Sequence, residues 1–285
     1  MNPHSPDRRT LPLPTPEHFR YEERERVGVI TLTRPERYNA LTFAVYRELT
    51  DFFLKIGERT GDPSGEGARA LVLQGEGRAF CGGGDVDDII TRLFERDAEG
   101  LLTFTRLTGA LIEAIRRCPL PIVCSIKRVA AGAGAVMALA ADLRVMGRGS
   151  FFSFLFPQVG LSGADMGASY LLPRVIGLGH ATELLMLGGR VMADRCREIG
   201  LATRVVDDEP DRDNVDREAF ALAAELARGP HFALRMTKKM VQQELDMDLA
   251  AAIEAEAQAQ ALCMQHPDFR EADRARQEKR PPRWR

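Results

Sequence analysis

Two glycine-rich stretches and one aspartate are the parts of this 285-residue chain whose residue types suit chemistry. The first stretch is Gly75-Glu-Gly-Arg-Ala-Phe-Cys-Gly-Gly-Gly-Asp85 and the second is Ala130-Ala-Gly-Ala-Gly-Ala-Val-Met-Ala-Leu-Ala-Ala-Asp142. Consecutive glycines reach φ > 0 without steric cost and let backbone N–H groups approach a ligand closely. The plainer roles are a tight turn for the first and close helix packing for the second. Neither fits GxGxxG or the P-loop pattern, so a dinucleotide or P-loop site is not indicated. The aspartate is Asp165, in Gly163-Ala-Asp-Met-Gly-Ala-Ser-Tyr170. Beside apolar neighbours its carboxyl would take a raised pKa and exchange a proton at neutral pH. Asp is also a preferred N-cap, which would place it at the start of a helix near Met166.

Other chemistries are poorly supplied. The five histidines (His4, His18, His180, His231, His266) are scattered without metal-ligand spacing, and the five cysteines (Cys81, Cys118, Cys124, Cys196, Cys263) form no CxxC pair. This predicts no metal site and reduced thiols in a cytoplasmic protein. With 39 Lys+Arg against 41 Asp+Glu the formal charge is −2, which argues against broad electrostatic binding of nucleic acid or an anionic membrane. No secretory signal is visible at the N-terminus. The longest apolar stretch, Val129 to Ala141, is too short and too rich in Gly and Ala to span a bilayer.

The elements that must position these stretches follow from periodicity. Prolines at 3, 6, 12, 14 and 16 predict an irregular arm over residues 1–20. Val27–Thr33 and Ala70–Gln74 read as strands, and Thr42 as the N-cap of a helix to about Arg59. Gly61–Gly67 reads as a loop. A helix over Leu101–Arg117 is followed by a buried strand Ile122–Ile126, a helix over Ala130–Asp142 and a strand at Leu143–Met146. Such alternation predicts an α/β core. Beyond an acidic linker at Asp207–Asp213 only helices are expected, over Asp216–Arg228, His231–Leu245, Asp248–Met264 and Asp268–Lys279. The resulting division is an arm (1–20), a core (21–209) and a helical region (210–285).

Taken together, the two glycine-rich loops resemble those of the crotonase (enoyl-CoA hydratase/isomerase) superfamily. The likeness runs from about Tyr21 to the C-terminus, through VGVITLTRPERYNAL, GRAFCGGGDV, AAGAGAVMALAADLRV, GASYLLPRVIG, EIGLATRVV and HPDFREADRARQEKRPPRW. It implies a spiral of repeated ββα units with a C-terminal all-α trimerisation region, assembled as a homotrimer or dimer of trimers. It also implies an acyl-CoA substrate, with coenzyme A entering as part of the thioester and no separate cofactor. In similar enzymes two backbone N–H groups bind the thioester oxygen, here those of Gly84 and Ala133. Where the family more often has glycine at the second position, alanine keeps the N–H provided its φ is negative. The resemblance further implies substrate contacts at Arg37, Ala40, Asp85, Val86 and Asp87, an acyl-pocket position at Phe156, and closure of the adenine end by Phe269 and Lys279.

The family's hydratases carry two glutamates that activate water. Their places here hold Val136 and, allowing a one-residue gap, Phe156 or Pro157. Without those carboxylates ordinary hydration lacks its usual proton carriers. Asp165 resembles the aspartate that dienoyl-CoA isomerases, hydroxyisobutyryl-CoA hydrolases and chlorobenzoyl-CoA dehalogenases carry in the same loop. The dehalogenase's histidine has no counterpart on the 101–117 helix, and the single tryptophan is Trp284. Double-bond isomerisation or lyase chemistry on an acyl-CoA, with Asp165 as acid/base, is the leading expectation. The alternatives are a hydratase that positions water by other groups, and a non-catalytic acyl-CoA- or RNA-binding relative.

Overall fold

A computed structural model describes residues 13–59, 67–208 and 213–285. Most of the proline-rich arm, the loop at 61–66 and the linker at 209–212 lie outside the described residues. The strands are β1 (Phe19–Arg24), β2 (Val27–Leu32), β3 (Ala70–Gly75), β4 (Ile122–Ile126), β5 (Val129–Ala131), β6 (Leu143–Gly147), β7 (Phe151–Ser153), β8 (Arg190–Met192) and β9 (Arg204–Val206). The helices are α1 (Phe43–Glu58), α2 (Thr91–Leu93), α3 (Ala98–Arg117), α4 (Ala133–Ala140), α5 (Ala168–Ile176) and α6 (Leu178–Leu187). They continue with α7 (Ala193–Glu198), α8 (Asp213–Ala227), α9 (His231–Gln243), α10 (Leu249–Gln265) and α11 (Pro267–Gln277).

The main sheet has the order β1-β2-β3-β4-β6-β9, with β1 antiparallel at one edge and the remaining pairs parallel. A smaller sheet, β5-β7-β8, lies beside it. Strands β2 and β4 are buried along their whole length, as expected for parallel strands covered on both faces. Their period of two sorts the side chains. Ile30, Leu32, Leu71, Leu73, Ile122 and Cys124 meet the side of α1, α3 and α4. Val27, Val29, Ala70, Val72, Val123 and Val145 meet Val215, Ala219, Leu222 and Ala223 of α8. Lys127, 2% exposed, and Ser125 both reach Asp216 on α8, at 2.6 Å each.

Thr42 caps α1 as expected, its hydroxyl accepting from the Val45 N–H at 3.3 Å. Three expectations are corrected. The irregular arm ends earlier than residue 20, because Phe19 already begins β1; the charged sequence FRYEER masks a strand with one buried anchor, Phe19. The segment Ala130–Asp142 is not one helix: it opens as β5 and turns into α4 only at Ala133. Gly132 makes the change at φ 50°, ψ −123°, a conformation open to glycine. The helix near Met166 begins instead at Ala168, with Gly167 as its N-cap and no side-chain cap, so Asp165 does not cap it. All five cysteines are free. Among the described residues no helix is long and apolar enough to cross a membrane.

Candidate active site

Three short segments form a ladder that brings the two glycine-rich stretches together. The Leu41 N–H donates to the Gly83 carbonyl at 2.8 Å, and the Asp85 N–H returns to the Leu41 carbonyl at 2.9 Å. On the other side the Cys81 N–H donates to the Val129 carbonyl and the Ala131 N–H to the Cys81 carbonyl, both at 3.1 Å. Asn39, 1% exposed and at φ 55°, braces the turn: its amide donates to the carbonyls of Glu76 and Ala79 while its oxygen accepts from the Arg34 N–H. The approach is close enough that a Cβ on Gly134 would lie 2.5 Å from the Cys81 carbonyl oxygen.

This packing leaves two donors over. Neither the Gly84 N–H nor the Ala133 N–H has an acceptor among the described residues. Their loops touch, since a Cβ on Gly83 would sit 3.7 Å from the Ala133 nitrogen. Ala133 opens α4 with negative φ; the positive φ falls on Gly132. Its N–H therefore points out of the first turn, where the helix dipole favours negative charge.

A cavity of about 550 Å³ flanks this point and gathers Arg37, Ala40, Gly84, Asp85 and Val86. Burial alone would raise the Asp85 pKa. The N–H groups of Asp88 and Asp87 and the Arg34 guanidinium, 2.9 Å away, outweigh it and hold the carboxyl below its ordinary range. Asp87 does not line the cavity but pairs with Arg37, which does, at 3.0 Å. Sequence reasoning missed Tyr38, Arg128 and Arg190, which also line this cavity. Arg128 stands at φ 52° and Arg190 stacks on Phe151 at 4.6 Å.

Asp165 lies in a second cavity of about 540 Å³, walled by Thr105, Gly109 and Ile112 of α3, by Met166 and Leu171, by Gln242 of α9 and by Leu245 in the turn that follows it. Burial raises its pKa, opposed by a hydrogen bond from the Met166 N–H. The other carboxylate on this wall, Glu113, is paired with Arg117 at 2.7 Å. Asp165 forms no ion pair among the described residues. Tyr46 on α1, also missed, is fully buried within the field of Asp165; burial, then the Cys81 thiol and Asp165, push its pKa well up.

The two glycine-rich stretches are thus held together by backbone hydrogen bonds with two N–H groups left over, and the first cavity lies beside Gly84. Residues 22–285 match the family model for Enoyl-CoA hydratase/isomerase. The chain belongs to the enoyl-CoA hydratase/isomerase family, within the crotonase superfamily. It is 39% identical over 271 residues to a Rhodobacter capsulatus protein named "Probable enoyl-CoA hydratase", covering 93% of this chain and 97% of that one. It is 33% identical to the 1,2-epoxyphenylacetyl-CoA isomerase of Escherichia coli over 259 residues, covering 90% and 95%. A crystal structure of a candidate enoyl-CoA hydratase from Streptomyces coelicolor A3(2) superposes with a TM-score of 0.91 at 47% identity, covering 100% of this chain and 99% of that one.

In this enoyl-CoA hydratase/isomerase family member, the resemblance sets Val136 and either Phe156 or Pro157 at the places of the hydratase glutamates, and Pro157 is half-buried. Val136 is fully buried within α4, and Phe156, 6% exposed, belongs to the hydrophobic core. Phe156 lines neither cavity. Phe269 is exposed on α11, and Lys279 follows that helix at φ 52°; both lie outside the two cavities.

Proposed function

We propose that the protein acts on acyl-CoA thioesters, polarising the carbonyl with the Gly84 and Ala133 N–H groups and moving a proton with Asp165. The observation that carries this reading is the pairing of two N–H groups without acceptors and one carboxylate without a cation. The coenzyme A portion occupies the cavity at Arg37, Ala40, Gly84, Asp85, Val86 and Asp87, and the acyl group turns into the cavity at Asp165. No cofactor besides that thioester is required.

Removing a proton beside an acyl double bond places negative charge on the thioester oxygen. Two preorganised donors at a helix N-terminus stabilise that charge, and removing one such donor costs about 100-fold or more in comparable sites. Asp165 takes the proton as a carboxylate and returns it at the far end of the dienolate, so the double bond moves and the enzyme is regenerated. The same enolate supports lyase chemistry when a leaving group departs. The isomerase reading is favoured by the apolar residues at Val136 and Phe156 and by the name of the Escherichia coli relative.

Purified protein incubated with enoyl- and dienoyl-CoAs should shift double bonds, and Asp165→Ala should abolish the turnover. Unchanged turnover in that variant would remove Asp165 from the mechanism. A second reading, hydration with water held by other groups, is favoured by the name of the Rhodobacter capsulatus relative. Hydration of crotonyl-CoA that survives Asp165→Ala would select it.

A further inference from the structure

The wall of the Asp165 cavity carries one feature that proton transfer does not use. Helix α3 presents Thr105, Gly109, Ile112 and Arg116 to it, spaced by four, three and four residues along one helical face. Ile112 touches the Asp165 loop, since a Cβ on Gly167 would meet its side chain at 4.0 Å. Arg116 therefore sits one turn further on, about 6 Å along the helix axis.

Arg116 is partly buried, and desolvation lowers its pKa. Among the described residues it has neither an ion-pair nor a hydrogen-bond partner. The surrounding carboxylates are committed elsewhere: Glu113 to Arg117, Asp142 to Lys238 at 2.7 Å, and Asp246 to Tyr170 and Arg174. The same wall carries the Gln242 amide nitrogen, buried and without a hydrogen-bond acceptor. Beyond Arg116 the surface continues into a cleft of about 880 Å³ where Arg117, Arg235, Lys238 and Lys239 outnumber Glu113 and Asp246. One amide donor buried without an acceptor, beside a guanidinium that no carboxylate pairs and under a net positive field, is a place where an anionic ligand would supply what the protein does not.

Building on the acyl-CoA reading above, we infer that the acyl group carries a second, distal carboxylate, which Arg116 and Gln242 bind. The substrate class is a short ω-carboxyacyl-CoA: the thioester carbonyl lies at the glycine loops, the reacting carbons lie at Asp165, and the free carboxylate lies one helical turn beyond. The guanidinium offers a planar pair of N–H donors that matches a carboxylate, and the amide adds a third bond. A methyl-terminated acyl chain of the same length would leave the Gln242 amide unpaired, so the site selects by penalty as well as by attraction.

The test uses saturated thioesters that do not turn over, so that binding is read apart from chemistry. Dissociation constants for glutaryl-CoA, pentanoyl-CoA and free coenzyme A are measured by calorimetry on the full-length protein. Glutaryl-CoA should bind at least about tenfold more tightly than pentanoyl-CoA, the value of a charge-assisted contact in a partly desolvated site. Arg116→Met, which keeps the aliphatic bulk, should bring the ratio of the two constants to within about twofold, and Arg116→Lys should restore part of it. Gln242→Leu should lower the ratio several-fold, and it carries the test if Arg116→Met does not fold. A ratio near one in the wild-type protein, or a ratio that Arg116→Met or Gln242→Leu leaves intact, overturns the carboxylate assignment while the acyl-CoA reading stands. Absence of binding by all three probes overturns both.

Discussion

Asp165 titrates in an environment that works against its charge, and this gives it a signature. Burial raises its pKa, so the acidic limb of kcat/KM should lie above the ordinary carboxylate value of about 4 and should vanish with Asp165→Asn. The same substitution should lower kcat by about 100-fold or more while changing the affinity for a saturated acyl-CoA by less than about threefold. The raised pKa also fixes a sign for stability. The folded state binds the proton more tightly than the unfolded chain, so the contribution is complete below the unfolded pKa and is lost as pH rises through the folded one. Asp165→Asn should therefore melt slightly higher than wild type at pH 7, with the gap closing at acidic pH. A variant that keeps its activity and its acidic limb would assign that limb to another group. Asp165 was legible in the sequence through the resemblance, which sets an aspartate in the same loop of related enzymes. Arg116, Gln242 and Tyr46 were not, because their roles arise where α3, α9 and α1 converge, and nothing local marks an arginine or glutamine that lacks a partner.

Glycines and buried pairs hold the elements in position. The close approach at Gly134 leaves no room for a methyl group against the Cys81 backbone. Gly134→Ala should displace the first turn of α4, cost about 1–3 kcal/mol of stability and reduce turnover by at least about tenfold; thermal melts and kinetics together read both effects. On the opposite face of the sheet, Lys127 is 2% exposed and paired with Asp216 at 2.6 Å. Asp216→Ala should cost about 3–5 kcal/mol in denaturant unfolding by leaving that ammonium buried without a counter-charge. The double change Lys127→Met with Asp216→Leu should recover most of the loss; a single variant as stable as wild type would show that water reaches Lys127. Strands β3 and β4 and helices α1 and α3 were readable to within a few residues from periodicity and capping. Strand β5 was not, because the alanines on either side of Gly132 have helix composition and only the φ of one glycine separates strand from helix.

On the scale of the whole molecule, the chain divides its apolar surface between what it buries itself and what it leaves open. Helix α10 exposes Leu249, Ile253, Leu262 and Met264, and Ala259 is its one residue buried in the protomer. The proposed homotrimer or dimer of trimers would cover such a surface. Sedimentation of the intact protein should give a multiple of three protomers, and Leu262→Glu should shift the population toward smaller species; a monomeric wild type would refute the assembly. Helix α8 has a different role, since Val215, Ala219, Leu222 and Ala223 close one whole face of the main sheet. That closure has a consequence for biosynthesis. Strands β2, β3, β4 and β6 have all left the ribosome before residue 213 is added, yet the valines on their second face have no cover until α8 follows. A nascent chain paused near residue 208 would present those parallel strands with one side bare to water, a state prone to aggregation. A fragment ending there should accumulate in inclusion bodies, whereas one extended through residue 230 should stay in the supernatant. The last quarter of the chain thus determines when the first three quarters can finish folding.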